Sequence, residues 1–478
     1  MENPVSDKIG YIEQWGATPL PESARHGRAS DLLSVFFGSQ MNYASLLLGA
    51  LPFTFGLDPI QALSAIIVGA FLGALGVGGM AMMSAVTGAN SLMTSMAFFG
   101  VKGRVTGSVI IQVIDIGYFA IGIWVGAPQL QSVFNALGIP SSVVPLGMCI
   151  VLCGLLVIGV ALLGHATIVA YEKLVSCCGL ISILVLAGSV WMWPAGTPET
   201  AGYAGGNVWT AWMLAVSCHL GNAISYAPFA GDYARYLPRK TQPAALFLGA
   251  ASGIFMGCVT ACGFGLFMAL RVPHPVNLTG EMLACLSPML LLPVSIGALA
   301  ANSCNGAMVV YNGVLNLHAL LYRQRRSSVA ILFGGTGLLL GYVGLVMLRM
   351  ADGLMALSAI VNLIVTPWVG INVVGYFKVK GQFDIGPMCD PHGASRVYRY
   401  HNGVSLAAVS AWCISVLVGL PFCANDFFTG FAAAWMGGVD CGFVVSGISA
   451  SLIYLAFGRP DTVNTPRTVP HATRVFMI

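Results

Sequence analysis

Hydrophobic residues in this chain come in long blocks, with polar residues confined to short stretches between them. The blocks fall at about 31–56, 59–86, 104–136, 143–164, 167–193, 207–231, 243–270, 285–321, 328–349, 353–377, 403–423 and 434–457. A helix that crosses a bilayer needs about 20 apolar residues, and it satisfies its own backbone polar groups in lipid. The pattern therefore predicts about twelve membrane-spanning helices and an all-α integral membrane protein. Turn chemistry marks the breaks: Gly56-Leu57-Asp58-Pro59, Ile139-Pro140-Ser141, the stretch from Trp193-Pro194 to Gly206, and Val272-Pro273-His274-Pro275.

Composition narrows the class. Of the 478 residues 57% are hydrophobic and 8% charged, whereas soluble domains carry roughly 25% charged residues. A soluble chain of this length needs polar surface for several domains, and this one lacks it. That excludes an ordinary soluble enzyme, a nucleic-acid binder and a disordered protein. The net charge of +4 reflects topology. With the N-terminus placed inside, 19 of the 21 Lys and Arg residues fall in inner segments, and only Arg271 and Arg349 fall outside. This asymmetry fixes orientation, and moving one span near the middle would scramble it. The expectation is a multi-pass protein of the plasma (inner) membrane, surrounded by lipid bilayer, with both termini cytoplasmic and no nucleic-acid partner. Oligomeric state is left open. The N-terminus lacks an apolar signal core, so its own first span is expected to insert it without cleavage. The 13 cysteines lie almost wholly in apolar runs and read as small hydrophobes, with no zinc-site pair and no metal expected. Gly69 with Gly73, Ala70 with Ala74 and Gly253 with Gly257 have the spacing of closely packed helices.

Two blocks carry polar and turn-forming residues at membrane depth. The first reads Phe36-Phe37-Gly38-Ser39-Gln40-Met41-Asn42-Tyr43. The sixth reads Ser217-Cys218-His219-Leu220-Gly221-Asn222-Ala223-Ile224-Ser225-Tyr226-Ala227-Pro228. Helices that unwind there must line a cavity, because freed backbone groups are costly in lipid. These two spans lead the first and second groups of five. Broken helices at equivalent places in two halves point to a transporter site at an inverted-repeat interface. Taken singly, each reads equally well as a kinked packing helix.

The segment Ser225-Tyr226-Ala227-Pro228-Phe229-Ala230-Gly231-Asp232-Tyr233-Ala234-Arg235-Tyr236-Leu237-Pro238 resembles the sixth-helix signature of the nucleobase–cation symporter family, purine–cytosine permease branch. Glu22 to Gly27 with Asp31 to Asn42 resembles that family's approach to helix one. Ala300-Ala301-Asn302-Ser303-Cys304-Asn305 resembles its helix-eight asparagine motif. Phe383-Asp384-Ile385 with Asp390-Pro391-His392-Gly393 resembles its inner loop, and Gly430 to Asp440 its approach to helix twelve. The resemblance implies a leucine-transporter-like fold of two inverted five-helix repeats plus two helices. The corresponding boundaries are a cytoplasmic tail over 1–30, the first repeat over 31–193 and the second over 207–377. A cytoplasmic loop over 378–402, helices eleven and twelve over 403–457, and a cytoplasmic tail over 458–478 complete the chain. It also implies uptake of nucleobases or related heterocycles, coupled to sodium or protons.

A nucleobase is flat, neutral and rich in donors and acceptors. Its site needs an aromatic face and amides, which both donate and accept, for its edge. The family places stacking aromatics on helices three and six and an amide on helix eight. By pattern Tyr118 stands at the helix-three aromatic position, and Gly122 stands where some members keep a glutamine. On helix six Ile224 or Ala223 falls where relatives show an aromatic, which leaves Tyr226 to serve. Asn302 and Asn305 are three apart, hence on one helix face, and Asn305 best matches the substrate amide. Gln40, Asn42, Asn222 and Ser225 complete the candidate substrate site. For each amide the alternative is an interhelical hydrogen bond.

Asp115 is the acidic residue deepest in a span. Intramembrane carboxyls commonly mark a pathway or a proton relay; the alternative is a hydrogen bond to Gln112 or to another helix. Asp232 with Arg235 one turn on reads as an inner ion pair, and His219 as a core histidine. Sodium-coupled relatives use helix-one carbonyls and a helix-eight hydroxyl pair. The matching stretch Ile296-Gly297-Ala298-Leu299-Ala300-Ala301 has no hydroxyl. This favours a proton over sodium as the coupling cation, with Asp115 and the carbonyls near Gly38 and Met41 as candidates, and no other cofactor. A membrane enzyme would need a nucleophile–base pair, paired carboxylates or a metal cluster, and no HExxH, GxSxG or Walker motif occurs. A channel or a sensor remains formally open; broken helices one and six favour alternating access.

Overall fold

The computed structural model describes residues 8–11, 13, 15–16, 19–191, 202–272, 286–321, 324–347, 350–389, 397–425 and 428–460. The expected Trp193-Pro194 and Pro273-His274-Pro275 turns, the Asp390–Gly393 part of the inner loop and the tail beyond 460 lie outside the described residues.

Span 1 is a pair of short helices, Ala29–Gly38 and Tyr43–Thr54. Span 2 is Pro59–Thr87, followed by a short connecting helix, Ser91–Phe99. Spans 3, 4 and 5 are Val105–Ala136, Leu146–Leu163 and His165–Trp191. Span 6 is again a pair, Val208–Ile224 and Ala227–Ala234. Spans 7 to 10 are Pro243–Ala269, Pro288–Leu320, Arg326–Met347 and Met350–Lys378. Spans 11 and 12 are Leu406–Gly419 and Gly442–Phe457, with a small antiparallel hairpin between them. Among the described residues, eight helices are individually long and apolar enough to cross a membrane. The broken spans 1 and 6 and the shorter spans 11 and 12 bring the number to twelve.

Local chemistry sets the ends. Asp58 caps span 2 by accepting from the Ile60 and Gln61 amides at 2.9 Å, Gln61 Oε1 accepts from the Asp58 amide, and Pro59 opens the helix. Gly88 closes the same helix with φ of 71°, a left-handed turn in which a side chain would run into the Arg25 guanidinium.

Packing repeats with a period of five spans. Span 1 lies on spans 5 and 7, and span 6 lies on spans 10 and 2. Span 4 packs on span 8 as span 9 packs on span 3, and spans 3 and 8 pack on each other. An odd number of crossings per repeat delivers the second repeat from the opposite face, so the repeats are inverted. The small-residue pairs sit at these equivalent interfaces. A Cβ on Gly69 would lie 2.5 Å from the Val216 carbonyl oxygen of span 6, and one on Gly253 would lie 2.6 Å from the Leu33 carbonyl oxygen of span 1. Large apolar side chains such as Phe71, Leu184, Leu248, Ile331 and Leu452 face outward, while Gln40, Asn90, Asp115, Glu172, Asp232 and Asn312 are buried. The bundle is apolar outside, and polar side chains are embedded in its largely apolar core.

Candidate functional site

Helix geometry stops at Gly38 and resumes at Tyr43, and Asn42 is extended at φ −124° and ψ 161°. The Asn42 side chain bridges the gap. Its Nδ2 donates to the Ser39 carbonyl at 2.6 Å, and its Oδ1 accepts from the Ser45 amide at 3.1 Å. The expected break in span 6 is narrower. Ser225 and Tyr226 keep right-handed angles, Pro228 opens the next helix, and Ser225 Oγ donates to the Asn222 carbonyl at 2.8 Å. Span 6 bends through a tight turn there and does not unwind.

Side chains join the two breaks. Gln40 Oε1 accepts from Asn222 Nδ2 at 2.8 Å and from Ser45 Oγ at 3.0 Å, while the buried Gln40 Nε2 has no hydrogen-bond partner. Tyr226 Oη donates to Asn305 Oδ1 at 2.8 Å and lies 3.4 Å from the Ser39 carbonyl. The Tyr226 ring meets Phe36 edge-on, with centroids 6.5 Å apart. Ala223 and Ile224 are turned away, toward Gly73 and Gly76 of span 2, which leaves Tyr226 as the span 6 aromatic at the junction.

Spans 3 and 8 form the opposite wall. Asn302 Nδ2 donates to the Gly122 carbonyl at 2.8 Å. A Cβ at Gly122 would meet nothing within 4 Å, so open space lies beside it. One turn earlier, the Tyr118 hydroxyl is buried without a hydrogen-bond partner. Asn302 Oδ1 and Asn305 Nδ2 make no hydrogen bond among the described residues. They supply a free acceptor and a free donor one turn apart. The structure thus brings Gln40, Asn222, Ser225 and Tyr226 together at the two breaks and links them to Asn305. Tyr118 and Gly122 sit on span 3, which Asn302 joins to the same face of span 8. Asn42 serves its own backbone instead.

Asp115 lies deeper along span 3. Both its oxygens accept from Asn312 Nδ2, at 3.2 and 3.0 Å, and Gln112 turns instead to the Gly313 carbonyl at 3.1 Å. Asn316 Nδ2 donates to Asn312 Oδ1 at 2.6 Å, and Asn90 Nδ2 to Asn316 Oδ1 at 3.1 Å. This buried amide chain is missing from the sequence reading. Its signal was present: Asn302, Asn305, Asn312 and Asn316 recur at helical spacing along one face of span 8.

The expected Asp232–Arg235 pair does not form. The buried Arg235 pairs with Glu13 at 3.3 Å and donates to the Gly16 carbonyl at 2.7 Å, whereas both Asp232 oxygens lack a hydrogen-bond partner. Glu13 also accepts from Tyr236 Oη at 2.6 Å and Tyr311 Oη at 3.1 Å, and it pairs with Arg326 at 3.6 Å. The N-terminal segment therefore ties spans 6, 8 and 9 at one end of the bundle. Polar tail residues gave no sequence hint of this. His219 bonds the Ala215 carbonyl of its own helix and packs near Gly69 of span 2, as a core histidine does. Met41 lies in an apolar cluster with Val175, Ala261, Ala301 and Cys304. Among the described residues no group of three or more His, Cys, Asp or Glu could hold a metal.

Two inverted five-span repeats, each led by a broken helix, define a secondary-transporter fold. Solved structures agree. The chain is similar to Mhp1, a nucleobase-cation-symport-1 family transporter in a closed conformation with bromovinylhydantoin bound. The TM-score is 0.73 at 17% identity, over 92% of this chain and 94% of that one. It is also similar to a substrate-bound, outward-open Na+-coupled sialic acid symporter, at a TM-score of 0.60 and 13% identity over 93% of each chain. In sequence it is 26% identical over 450 residues to the putative purine-cytosine permease YxlA of Bacillus subtilis (strain 168), covering 92% of this chain and 94% of that one. The family model for permeases for cytosine/purines, uracil, thiamine and allantoin matches residues 19–448. The chain belongs to that permease family, and it is a membrane transporter, not an enzyme.

Proposed function

We propose that this permease imports a nucleobase, cytosine or a purine, in symport with a proton, by alternating access. The observation that carries the reading is the free pair on span 8. Asn302 Oδ1 and Asn305 Nδ2 offer an acceptor and a donor to the edge of a heterocycle, beside Tyr226, whose hydroxyl bonds Asn305, with Tyr118 on span 3 as the second candidate aromatic. An unpaired buried donor or acceptor costs about 1–3 kcal/mol, so this edge selects its cargo. The space at Gly122 gives room for a second ring. Proton coupling is favoured by Asp115 within span 3 and by the lack of a hydroxyl over Ile296–Ala301. The Lys and Arg distribution supports an orientation with both termini in the cytoplasm.

A second reading is sodium-coupled transport of a related heterocycle, such as allantoin, hydantoin or uracil. The hydantoin bound in Mhp1 favours it. Uptake of radiolabelled cytosine, adenine, hypoxanthine, uracil and allantoin, with and without sodium and with and without a protonophore, separates the two. Sodium-independent, protonophore-sensitive uptake of cytosine or a purine is expected. Sodium-dependent uptake of allantoin or uracil alone would favour the second reading. Binding without concentrative uptake would mark a sensor.

A further inference from the structure

Span 5 carries a further buried carboxyl, besides Asp115 of span 3 and Asp232 of span 6, which the substrate site does not use. Glu172 is 0% exposed, and neither of its carboxylate oxygens has a hydrogen-bond partner. It lies at the break in span 1: a Cβ at Gly38 would sit 2.6 Å from Glu172 Oε2 and 2.6 Å from Ser176 Oγ. Only glycine leaves room for the carboxyl there. Met41, Val175, Ala261, Ala301 and Cys304 form an apolar cluster around this junction, with Phe37 and Tyr171 packed against it.

The groups facing Glu172 supply no positive charge. Tyr171 is its neighbour on span 5, Cys304 faces it from span 8, and Tyr226 and Tyr233 from span 6. The adjacent Lys173 is half exposed and committed to Asp31 of span 1 at 2.7 Å. The polar groups that face it are neutral, the Cys304 thiol first among them; an ionised carboxylate is costly in such a wall, and a bound proton removes the charge. Asp115 differs, because two donated contacts from Asn312 already serve its oxygens.

The position also suits coupling. The first helix of span 1 meets span 5 through two ties: the Asp31–Lys173 pair, and Ser176 Oγ, which donates to the Glu172 carbonyl at 2.7 Å and lies 3.3 Å from the Ser34 carbonyl. Glu172 stands between these ties and the break, where span 1 must shift against span 5 if access alternates.

We infer that Glu172 is the proton-carrying group of this transporter, loaded and unloaded as span 1 moves over span 5. This deepens, and rests on, the proton-symport reading. One proton binds a carboxylate oxygen from one side of the membrane and leaves as a proton on the other; the cargo is not altered.

The test uses the purified full-length protein in vesicles, with labelled cytosine or hypoxanthine. For one proton per cycle, one unit of pH gradient supports about tenfold accumulation. Glu172→Gln is expected to keep counterflow exchange yet lose this tenfold accumulation, with Glu172→Asp restoring part of it. Infrared titration should show a protonated-carboxyl band in the wild type that Glu172→Gln removes. Should Glu172→Gln fail to fold, Gly38→Ala, which drives a methyl onto Oε2, is expected to blunt the pH response. Full pH-driven accumulation by Glu172→Gln, or an unchanged carboxyl band, would overturn the inference. If the wild type exchanges none of the nucleobases while the Glu172 band is present, the cargo reading fails and the proton site stands.

Discussion

Spans 1 and 6 hold equivalent places in their repeats and carry similar residues, yet they break differently. In span 1 four residues, Ser39 to Asn42, separate the two helices; Ser39 still has right-handed angles, Asn42 is extended, and the Asn42 side chain bonds the Ser39 carbonyl and the Ser45 amide. Span 6 is interrupted only at Ser225 and Tyr226, with right-handed angles kept throughout. Pro228 and the Ser225 back-bond hold the tight turn; an extended, side-chain-capped Asn42 opens the wide one. The wide break leaves Gly38 against a buried carboxyl. The narrow one aims Tyr226 at Asn305. Similar polar punctuation thus yields two different junctions, a capped gap beside Glu172 and a tight elbow that sets Tyr226 against Asn305.

The comparison can be broken at several points. Gly253→Leu and Gly73→Leu insert side chains where span 7 meets span 1 and span 2 meets span 6. Both are expected to abolish the monodisperse protein peak on size-exclusion chromatography, because such close contacts admit no extra carbon. Asn305→Ala removes the free donor and the Tyr226 acceptor together. Loss of about 1–3 kcal/mol weakens cargo affinity roughly 5- to 150-fold, read by equilibrium binding. Gln40→Ala and Asn222→Ala sever the bond between the breaks, and their double-mutant cycle should give a coupling of about 0.5–3 kcal/mol. Smallest is Asn42→Ala, which lifts a cap and costs about 1 kcal/mol of stability; thermal unfolding should show it, with cargo selectivity unchanged.

Much of the fold was legible in the sequence. Blocks of apolar residues marked the spans because a bilayer imposes helix length directly. Both interruptions were legible from Gly, Pro and amide clusters; their widths were not. Width depends on whether a capping side chain, such as Asn42, can replace a backbone bond. The Asp232–Arg235 expectation failed for a similar reason. Spacing placed the two on one helix, but Glu13, more than 200 residues away, is the partner that Arg235 takes. Glu172 was visible only as one acidic residue among several. Its isolation is a property of the packing of spans 1, 5 and 8, which no local pattern encodes. The site residues divide likewise: sequence nominated the amides, and only geometry separates Asn305, with its donor free, from Asn42, which is occupied with its own backbone.

The central claim is that cargo lies between the two breaks and is read by the free edge of span 8. Isothermal titration of the purified protein with cytosine, adenine, hypoxanthine, uracil and allantoin, for the wild type and Asn305→Ala side by side, tests it most directly. The account predicts that cytosine or a purine binds the wild type, and that Asn305→Ala loses at least about fivefold in affinity for that base. Equal affinities for the two proteins would contradict it.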